Sequence, residues 1–168
     1  MKFNWLLILF FTLSFFNAQQ TYAQTKYTWL DIPDSVINDR QLLVLMRERI
    51  KEAVRADVYT AITQLKTERQ KAEKDSDSLK ISCGYYIMAS IHDYSGDYSE
   101  SIELYKKAAI WLKFPEHEWF ASTLYSKTGY ALSRISEYDS SLTYYSKSLK
   151  IREKLQYGRP IIHCEKSW

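Results

Sequence analysis

Residues 95–113 read SGDYSESIELYKKAAIWLK, and residues 135–154 read ISEYDSSLTYYSKSLKIREK, a looser copy of the same pattern. Tyr98 aligns with Tyr138, 40 positions later, and the serine, aliphatic and aromatic positions that follow align at the same distance. This distance of 40 residues is referred to below as the repeat offset. In both copies, apolar and small residues recur at spacings of three and four, which is typical of one face of an α-helix. Both stretches are therefore predicted to be amphipathic helices of one repeated unit.

A further helix is predicted before each of these two. Residues 79–94 and 118–135 carry apolar residues at helical spacing, lack proline, and also align at the repeat offset. Residues 40–54 and 57–74 form a third, weaker copy, for which one long helix or a short coiled coil is the alternative. No sustained heptad runs through that copy, which favours a hairpin. Since a helical hairpin cannot bury its apolar face alone, neighbouring hairpins are expected to stack on a shared core.

The run from Gly96 to Ala108 has the pattern G-D-Y-x-x-S-I-x-x-Y-x-x-A, which resembles the second helix of a tetratricopeptide repeat. Gly129 stands at the packing glycine of that family's first helix. The resemblance covers residues 77–156 well and residues 38–76 weakly. It implies an all-α, tetratricopeptide-like solenoid of antiparallel helical hairpins, wound as a right-handed superhelix. The chain departs from the family where serine replaces the usual alanine: Ser101, Ser141 and Ser148.

The N-terminal stretch, residues 1–24, differs from the rest of the chain. Lys2 precedes a run of eleven mostly apolar residues, LLILFFTLSFF, and a polar stretch with small residues follows. This layout predicts a secretory signal peptide over residues 1–23, since a membrane-spanning helix needs about 20 apolar residues. An uncleaved membrane anchor is the alternative. The mature protein is expected to be exported, to the periplasmic or extracytoplasmic face of the membrane.

The remaining boundaries follow from the repeat. Residues 24–37 are predicted to be an extended segment, residues 38–76 a degenerate helical hairpin, and residues 77–156 two tetratricopeptide-like units. Residues 157–168 are predicted to be the start of a further repeat or a truncated tail. Because no capping helix follows, we expect an N-terminal fragment of a longer product or a chain truncated by a frameshift. Residues 25–37 are expected to cover four apolar positions of the first helix: Leu43, Met46, Ile50 and Val54.

Composition and motifs argue against several classes of function. The chain has 168 residues and a formal charge of +3, with no block of lysine or arginine, so nucleic acid is not an expected partner. It contains no HExxH pattern, no C-x-x-C pair and no glycine-rich phosphate loop. No catalytic, metal-binding or cofactor-binding residue is predicted, and the chain is not expected to be an enzyme. An output kinase domain would lie outside these residues.

Isolated cysteines and histidines do not form a recognisable site. Cys83 lies in a helix-like apolar run, which favours a buried free thiol, while its pairing with Cys164 stays open. His117 stands between Glu116 and Glu118, but side chains adjacent in sequence point in different directions on a helix. No second histidine stands four residues away, so the sequence does not favour a zinc site.

The geometry of the family locates a candidate binding surface. The first helices of stacked hairpins line the concave side of a solenoid, and aromatic and arginine side chains anchor interfaces. Ordinary half-exposed residues are the alternative interpretation, and a protein or peptide is the expected partner. The groove-facing positions in the family's register are Tyr86, Ser90, Asp93, Tyr94, Ser126, Tyr130, Ser133 and Arg134.

The resemblance implies a protein-interaction module. A signal peptide joined to units of about 40 residues is similar to the extracytoplasmic N-terminal part of bacterial sensor histidine kinases and transcriptional regulators that contain tetratricopeptide repeats. The sensory portion of a signal-transduction protein is therefore the expected role. An exported structural or assembly scaffold is the alternative, and an extracytoplasmic hydrolase is a remote one.

Overall fold

The computed structural model describes residues 28–36, 38–112 and 115–157, and all of the regular secondary structure in these ranges is helical. The predicted all-α fold is confirmed. The predicted signal peptide, the tail from residue 158 onward and Cys164 lie outside the described residues. Six helices follow one another in these ranges: α1 Asp39–Arg55, α2 Val58–Lys74, α3 Ser78–Tyr94, α4 Tyr98–Trp111, α5 Glu118–Arg134 and α6 Tyr138–Tyr157.

Short polar side chains set the starts of the first four helices. The side-chain oxygen of Asn38 accepts hydrogen bonds from two backbone N–H groups at the start of α1, both at 3.1 Å. Asp57, Asp77 and Asp97 each accept one backbone N–H three residues later, at 3.0, 3.0 and 3.4 Å. These side chains satisfy donors that have no partner within the helix. His117, at the start of α5, makes no such side-chain bond.

The same tight turn ends α2, α3 and α5. Each turn contains one residue with a positive φ: Ser76 at 56°, Gly96 at 81° and Ser136 at 65°. The backbone N–H of the next residue donates to the carbonyl oxygen five residues earlier, at 2.9–3.0 Å. This is the Schellman arrangement, which satisfies the last carbonyls of a helix and reverses the chain. One turn geometry therefore joins α2 to α3, α3 to α4 and α5 to α6.

Buried serine hydroxyls hold the two clearest hairpins together. In the α3–α4 hairpin, Ser82 Oγ donates to the carbonyl oxygen of Ala108 at 2.9 Å. In the α5–α6 hairpin, Ser148 Oγ donates to the carbonyl oxygen of Ser122 at 2.7 Å. Ser82 and Ser122 are equivalent at the repeat offset, as are Ala108 and Ser148, so the two hairpins bond the same two positions in opposite directions.

A continuous apolar core runs through the helices and centres on aromatic side chains of α3, α4 and α5. The Tyr86 ring lies 5.3 Å from the Phe120 ring, edge to face, and 6.0 Å from the Tyr105 ring. Cys83 is fully buried in the same core and its thiol is free. Burial raises the pKa of Cys83 because it disfavours the thiolate.

Helix α1 has different neighbours from the other helices. It is joined to α2 by Ala56 and Asp57, yet it contacts α3 and α5 more extensively than it contacts α2. Leu42, Met46 and Ala53 are the buried residues of α1, and they belong to the common core. Because its apolar stripe is buried against α3 and α5, α1 lies across the two helices that begin the predicted repeats.

The described part of the N-terminal segment binds α2 and α3. The backbone N–H groups of Trp29 and Leu30 donate to the two carboxylate oxygens of Glu68, at 3.0 and 2.8 Å. Trp29 Nε1 donates to Gln64 Oε1 at 2.8 Å, and a Cδ atom of Leu30 lies close to Gly84. These contacts hold Trp29 and Leu30 against α2 and α3, whereas the segment was expected to lie over Leu43, Met46, Ile50 and Val54 of α1; Ile32 and Val36 border the start of α1.

Candidate binding groove

A cavity of about 560 Å³ lies between α1 on one side and α3 and α5 on the other. Its volume falls within the range of ligand-binding clefts in proteins. This cavity is referred to below as the α1 groove. Its lining residues are Arg40, Leu43, Val44, Arg47 and Ile50 of α1, Tyr86, Ser90, Asp93 and Tyr94 of α3, Trp119, Thr123 and Lys127 of α5, and Arg152 of α6.

The α1 groove is lined by half of the candidate binding residues that were predicted from the sequence. All four nominated residues of α3 line it: Tyr86, Ser90, Asp93 and Tyr94. The four nominated residues of α5 do not: Ser126, Tyr130, Ser133 and Arg134. Helix α5 instead presents Trp119, Thr123 and Lys127, which are spaced four residues apart and therefore share one face of the helix.

The four candidate residues of α5 have other neighbours or are exposed. Arg134 Nε donates to the hydroxyl oxygen of Tyr98 at 3.2 Å, and its guanidinium lies 5.3 Å from the centre of that ring. Ser133 Oγ donates to the backbone carbonyl of Tyr130 at 2.7 Å. The Tyr130 side chain is exposed and Ser126 is half-buried. Arg134 therefore links α5 to α4 and does not reach the α1 groove.

A largely buried carboxylate, that of Asp93, lies in the wall of the groove. The Asp93 side chain is only 9% exposed, and its Oδ2 atom lies 3.5 Å from Lys127 Nζ. A buried carboxylate is stabilised by each hydrogen bond that it accepts, so a donor from a bound molecule would stabilise this position.

Hydroxyl groups next to Asp93 are already paired. Ser90 Oγ donates to the backbone carbonyl of Tyr86 at 2.9 Å and lies 3.1 Å from the Tyr105 hydroxyl oxygen. Burial raises the pKa values of Tyr86 and Tyr105, so both phenols stay neutral at physiological pH. This part of the wall is thus a fixed, uncharged polar surface around the single carboxylate.

Cations predominate along the rest of the groove. Four of its lining residues are cationic, namely Arg40, Arg47, Lys127 and Arg152, against one acid, Asp93. The Arg40 guanidinium lies 4.7 Å from the centre of the Trp119 ring, and that of Arg152 lies 5.8 Å from it. Cation–π contacts of this kind hold charged side chains without neutralising them. The groove therefore combines a positive rim with an aromatic and aliphatic floor.

Asp39 fastens the start of α1 to the start of α5. Its Oδ2 accepts the backbone N–H of Phe120 at 3.0 Å, and its Oδ1 lies 2.8 Å from His117 Nδ1. Asp39 thus caps α5 from another helix, replacing the side-chain cap that His117 does not supply. Sequence reasoning missed this pair; the signal available was the lack of a capping side chain at the start of α5.

A second cavity, of about 800 Å³, lies where α1 and α5 begin and is lined by Asp39 and His117, by the charged residues Glu118 and Lys154, and by apolar residues such as Leu79. In the ranges that the structure describes, no group of three or more His, Cys, Asp and Glu residues is placed to hold a metal ion. None of the described helices is both long enough and apolar enough to cross a membrane. The α1 groove is the candidate site because it contains four of the residues predicted from the sequence.

Comparisons with protein families, with curated protein sequences and with solved structures found no significant match to this chain. The relation between its hairpins therefore depends on internal similarity alone. That similarity extends from the sequence to the structure, since Gly96 and Ser136 occupy the same turn in the two aligned units. The serine bonds of Ser82 and Ser148 likewise join equivalent positions.

Proposed function

We propose that this chain is a tetratricopeptide-type repeat protein that binds a protein or peptide segment in the α1 groove. The proposed right-handed solenoid comprises the hairpins α3–α4 and α5–α6, with α2 packed before them. The repeated turn and the equivalent serine bonds support this arrangement. In the proposal, α1 is a helix that has moved onto the concave side and forms one wall of the binding site.

The observation that carries the proposal is the Asp93 carboxylate in a groove wall that also presents an aromatic and aliphatic surface. A peptide supplies backbone N–H donors at regular intervals, and one of them would pair with this carboxylate. Between Arg40 and Ile50 the α1 wall extends about 15 Å, at 1.5 Å per helical residue. That length suits about four or five residues of extended chain, at roughly 3.3 Å each.

The charge of the groove indicates which segments bind best. With four cations and one acid in the lining, a segment that carries Asp or Glu near its apolar residues is favoured over a basic one. The proposed role is binding without catalysis. Apolar anchors would occupy the floor formed by Leu43, Ile50 and Tyr86, because buried aromatic and aliphatic contacts supply most of the energy of such interfaces.

The test is a selection for binding peptides followed by matched variants. Peptides of random sequence would be selected by display against the purified chain, and their affinities measured for Asp93→Asn and Tyr94→Ala. Tyr59→Ala is the control, since Tyr59 is 80% exposed on α2 and Tyr94 is 76% exposed at the groove. We expect both groove variants to lose about tenfold or more in affinity, as typical of interface anchors, and the control to lose none.

Two results would contradict the proposed function. One is a selection that enriches no peptide above an unrelated helical protein of similar charge. The other is a set of peptides whose affinity is the same for the groove variants and for Tyr59→Ala. If the selected peptides bind Arg47→Glu with the same affinity as the parent, only the preference for acidic segments is overturned, because Arg47 contributes positive charge to the groove.

In the wider role we propose, the chain is exported and forms the sensory portion of a signal-transduction protein. The layout of residues 1–23 and the repeat pattern support this role. A fusion of residues 1–40 to alkaline phosphatase, which is active only outside the bacterial cytoplasm, tests export; an inactive fusion would refute it. An exported assembly scaffold is the second candidate, favoured by the apolar side chains that α6 exposes.

A further inference from the structure

Helix α6 exposes a row of large side chains along one face. Tyr138, Leu142, Tyr145 and Leu149 are 63%, 65%, 37% and 56% exposed, and we refer to them as the α6 seam. None of the four lines the α1 groove. Their spacing of four, three and four residues is that of a helix–helix contact stripe.

The internal repeat shows what this kind of face does elsewhere in the chain. At the repeat offset, Leu142 corresponds to Ile102 of α4 and Tyr145 to Tyr105. Both α4 residues are buried: Ile102 packs in a cluster with Ala131 and Leu132 of α5, and Tyr105 lies in the main core. On α4, Tyr105 packs on Tyr86 within its own hairpin, as Tyr145 of α6 lies against Gly129, while Ile102 is covered by α5 of the next hairpin. The α6 seam is thus a packing face of the same type, in which the Leu142 position has no such helix among the described residues.

We propose that the α6 seam pairs with the α6 seam of a second copy of this chain, antiparallel across a two-fold axis. The seam is symmetric about the point between residues 143 and 144. Across such an axis Tyr138 would meet Leu149 of the other copy, and Leu142 would meet its Tyr145. Every contact then joins an aromatic ring to an aliphatic side chain. Each contact also occurs twice, once from each copy, as a two-fold interface requires.

The charges that flank the seam favour the same alignment. Glu137 and Lys150 are both exposed, and the axis that pairs the seam residues also places each Glu137 opposite the other copy's Lys150. A parallel pair would instead place Lys150 against Lys150. Opposite charges at both ends therefore select the antiparallel register, while like charges disfavour the alternative.

The size of the seam sets the expected affinity. Four half-exposed side chains with their flanks offer on the order of 500 Å² per copy, since a buried aromatic side chain covers about 150–250 Å². The total of about 1,000 Å² is at the lower limit of specific interfaces. We therefore expect a reversible dimer with a dissociation constant in the micromolar range and not an obligate one.

The experiment is sedimentation equilibrium at protein concentrations of 1–300 µM. The protein is expressed from its whole reading frame and purified in the form that results after any processing in the cell. The parent protein is expected to dimerise, and Leu142→Glu to remain monomeric throughout that range. Ile110→Glu is the matched control, because Ile110 is an exposed aliphatic residue on α4 outside the seam. The Ile110→Glu variant is expected to dimerise like the parent. Circular dichroism of each variant checks that its helices persist.

A charge exchange tests the register. Glu137→Lys and Lys150→Glu each place like charges at both ends of the pair, and each is expected to weaken the dimer about fivefold or more. The double variant restores opposite charges and should return to the parent affinity. A monomeric parent at 300 µM, or a dimer indifferent to Leu142→Glu, would overturn the proposal. Single variants without rescue in the double variant would overturn the antiparallel register.

Discussion

Replacing Asp39 with alanine is expected to lower the free energy of unfolding by about 2 kcal/mol, the combined effect of a lost helix cap and a lost hydrogen bond. Asp39 is 11% exposed and accepts hydrogen bonds from the Phe120 backbone N–H and at His117 Nδ1. Loss of a helix cap costs about 0.5–2 kcal/mol, and a second hydrogen bond contributes about 0.5–1.5 kcal/mol. In a chain of 168 residues, this corresponds to a fall in Tm of about 4–8 °C.

The measurement is urea unfolding together with native-state hydrogen exchange. Asp97→Ala is the matched control, because Asp97 also caps a helix and contacts a histidine, with Glu100 N at 3.4 Å and His92 Nδ1 at 3.1 Å, but at an exposed site and without contact to α1 or α5. We expect this control to cost less than about 1 kcal/mol. Only Asp39→Ala is expected to speed exchange along the whole of α1, since Asp39 fastens α1 to α5 and Asp97 does not. Asp39→Asn keeps an acceptor and should fall between the two.

Either of two results would refute this reasoning. If Asp39→Ala destabilised the protein no more than Asp97→Ala, the bonds to α5 would not hold α1. If the loss were large but exchange rose only over the first turn of α5, Asp39 would act as an ordinary cap. Helix α1 would then stay on α3 and α5 through its apolar contacts alone.

Four other variants test the packing, one turn and one buried phenol. Gly129→Ala should cost about 1–2 kcal/mol by urea unfolding, because its Cβ would lie 3.2 Å from the backbone oxygen of Ser141. In Gly84→Ala the new Cβ would lie against side chains of Leu30 and Arg69, so the loss in free energy of unfolding should be smaller. Equal losses for the two glycine variants would contradict this account. Ser136→Gly should raise stability by about 1 kcal/mol, since φ is 65° there; a destabilised variant would contradict it. Burial raises the pKa of Tyr105 above that of the unfolded chain. The protonated phenol therefore contributes fully to the free energy of unfolding below about pH 10, and this contribution is lost as the pH rises further. Tyr105→Phe should therefore flatten the fall in Tm between pH 9 and 11.

The sequence was sufficient to predict the helices because their determinants are local. Apolar residues at spacings of three and four defined the face of each helix, and Asp97 with Gly96 marked one start and one turn. The turn at Ser136 was less visible, since serine is not the residue that a positive φ favours. Its geometry follows from the Schellman bonds between Leu132 and Glu137, which the residue type alone does not reveal.

The position of α1 was not predictable from the same kind of signal. Periodicity identifies an apolar stripe but not the helix that buries it, and Met46 is buried against helices distant in sequence. The contact of Asp39 with His117 spans 78 residues and leaves no local pattern. Of the positions taken from the family register, Tyr86 and Ser90 of α3 line the α1 groove, whereas those of α5 do not, because α1 lies beside other residues of α5.

This position of α1 joins the stability of the chain to its proposed binding function. Arg40, Leu43, Arg47 and Ile50 line the groove only while α1 is docked, so a ligand held between α1 and α3 binds the docked state and not an undocked one. By linkage, such a ligand stabilises docking by as much as docking strengthens its binding. Asp39 is outside the lining of the α1 groove, yet it is part of the same equilibrium. The residues that determine affinity therefore include some that no bound segment touches, and they lie where α1 meets the start of α5.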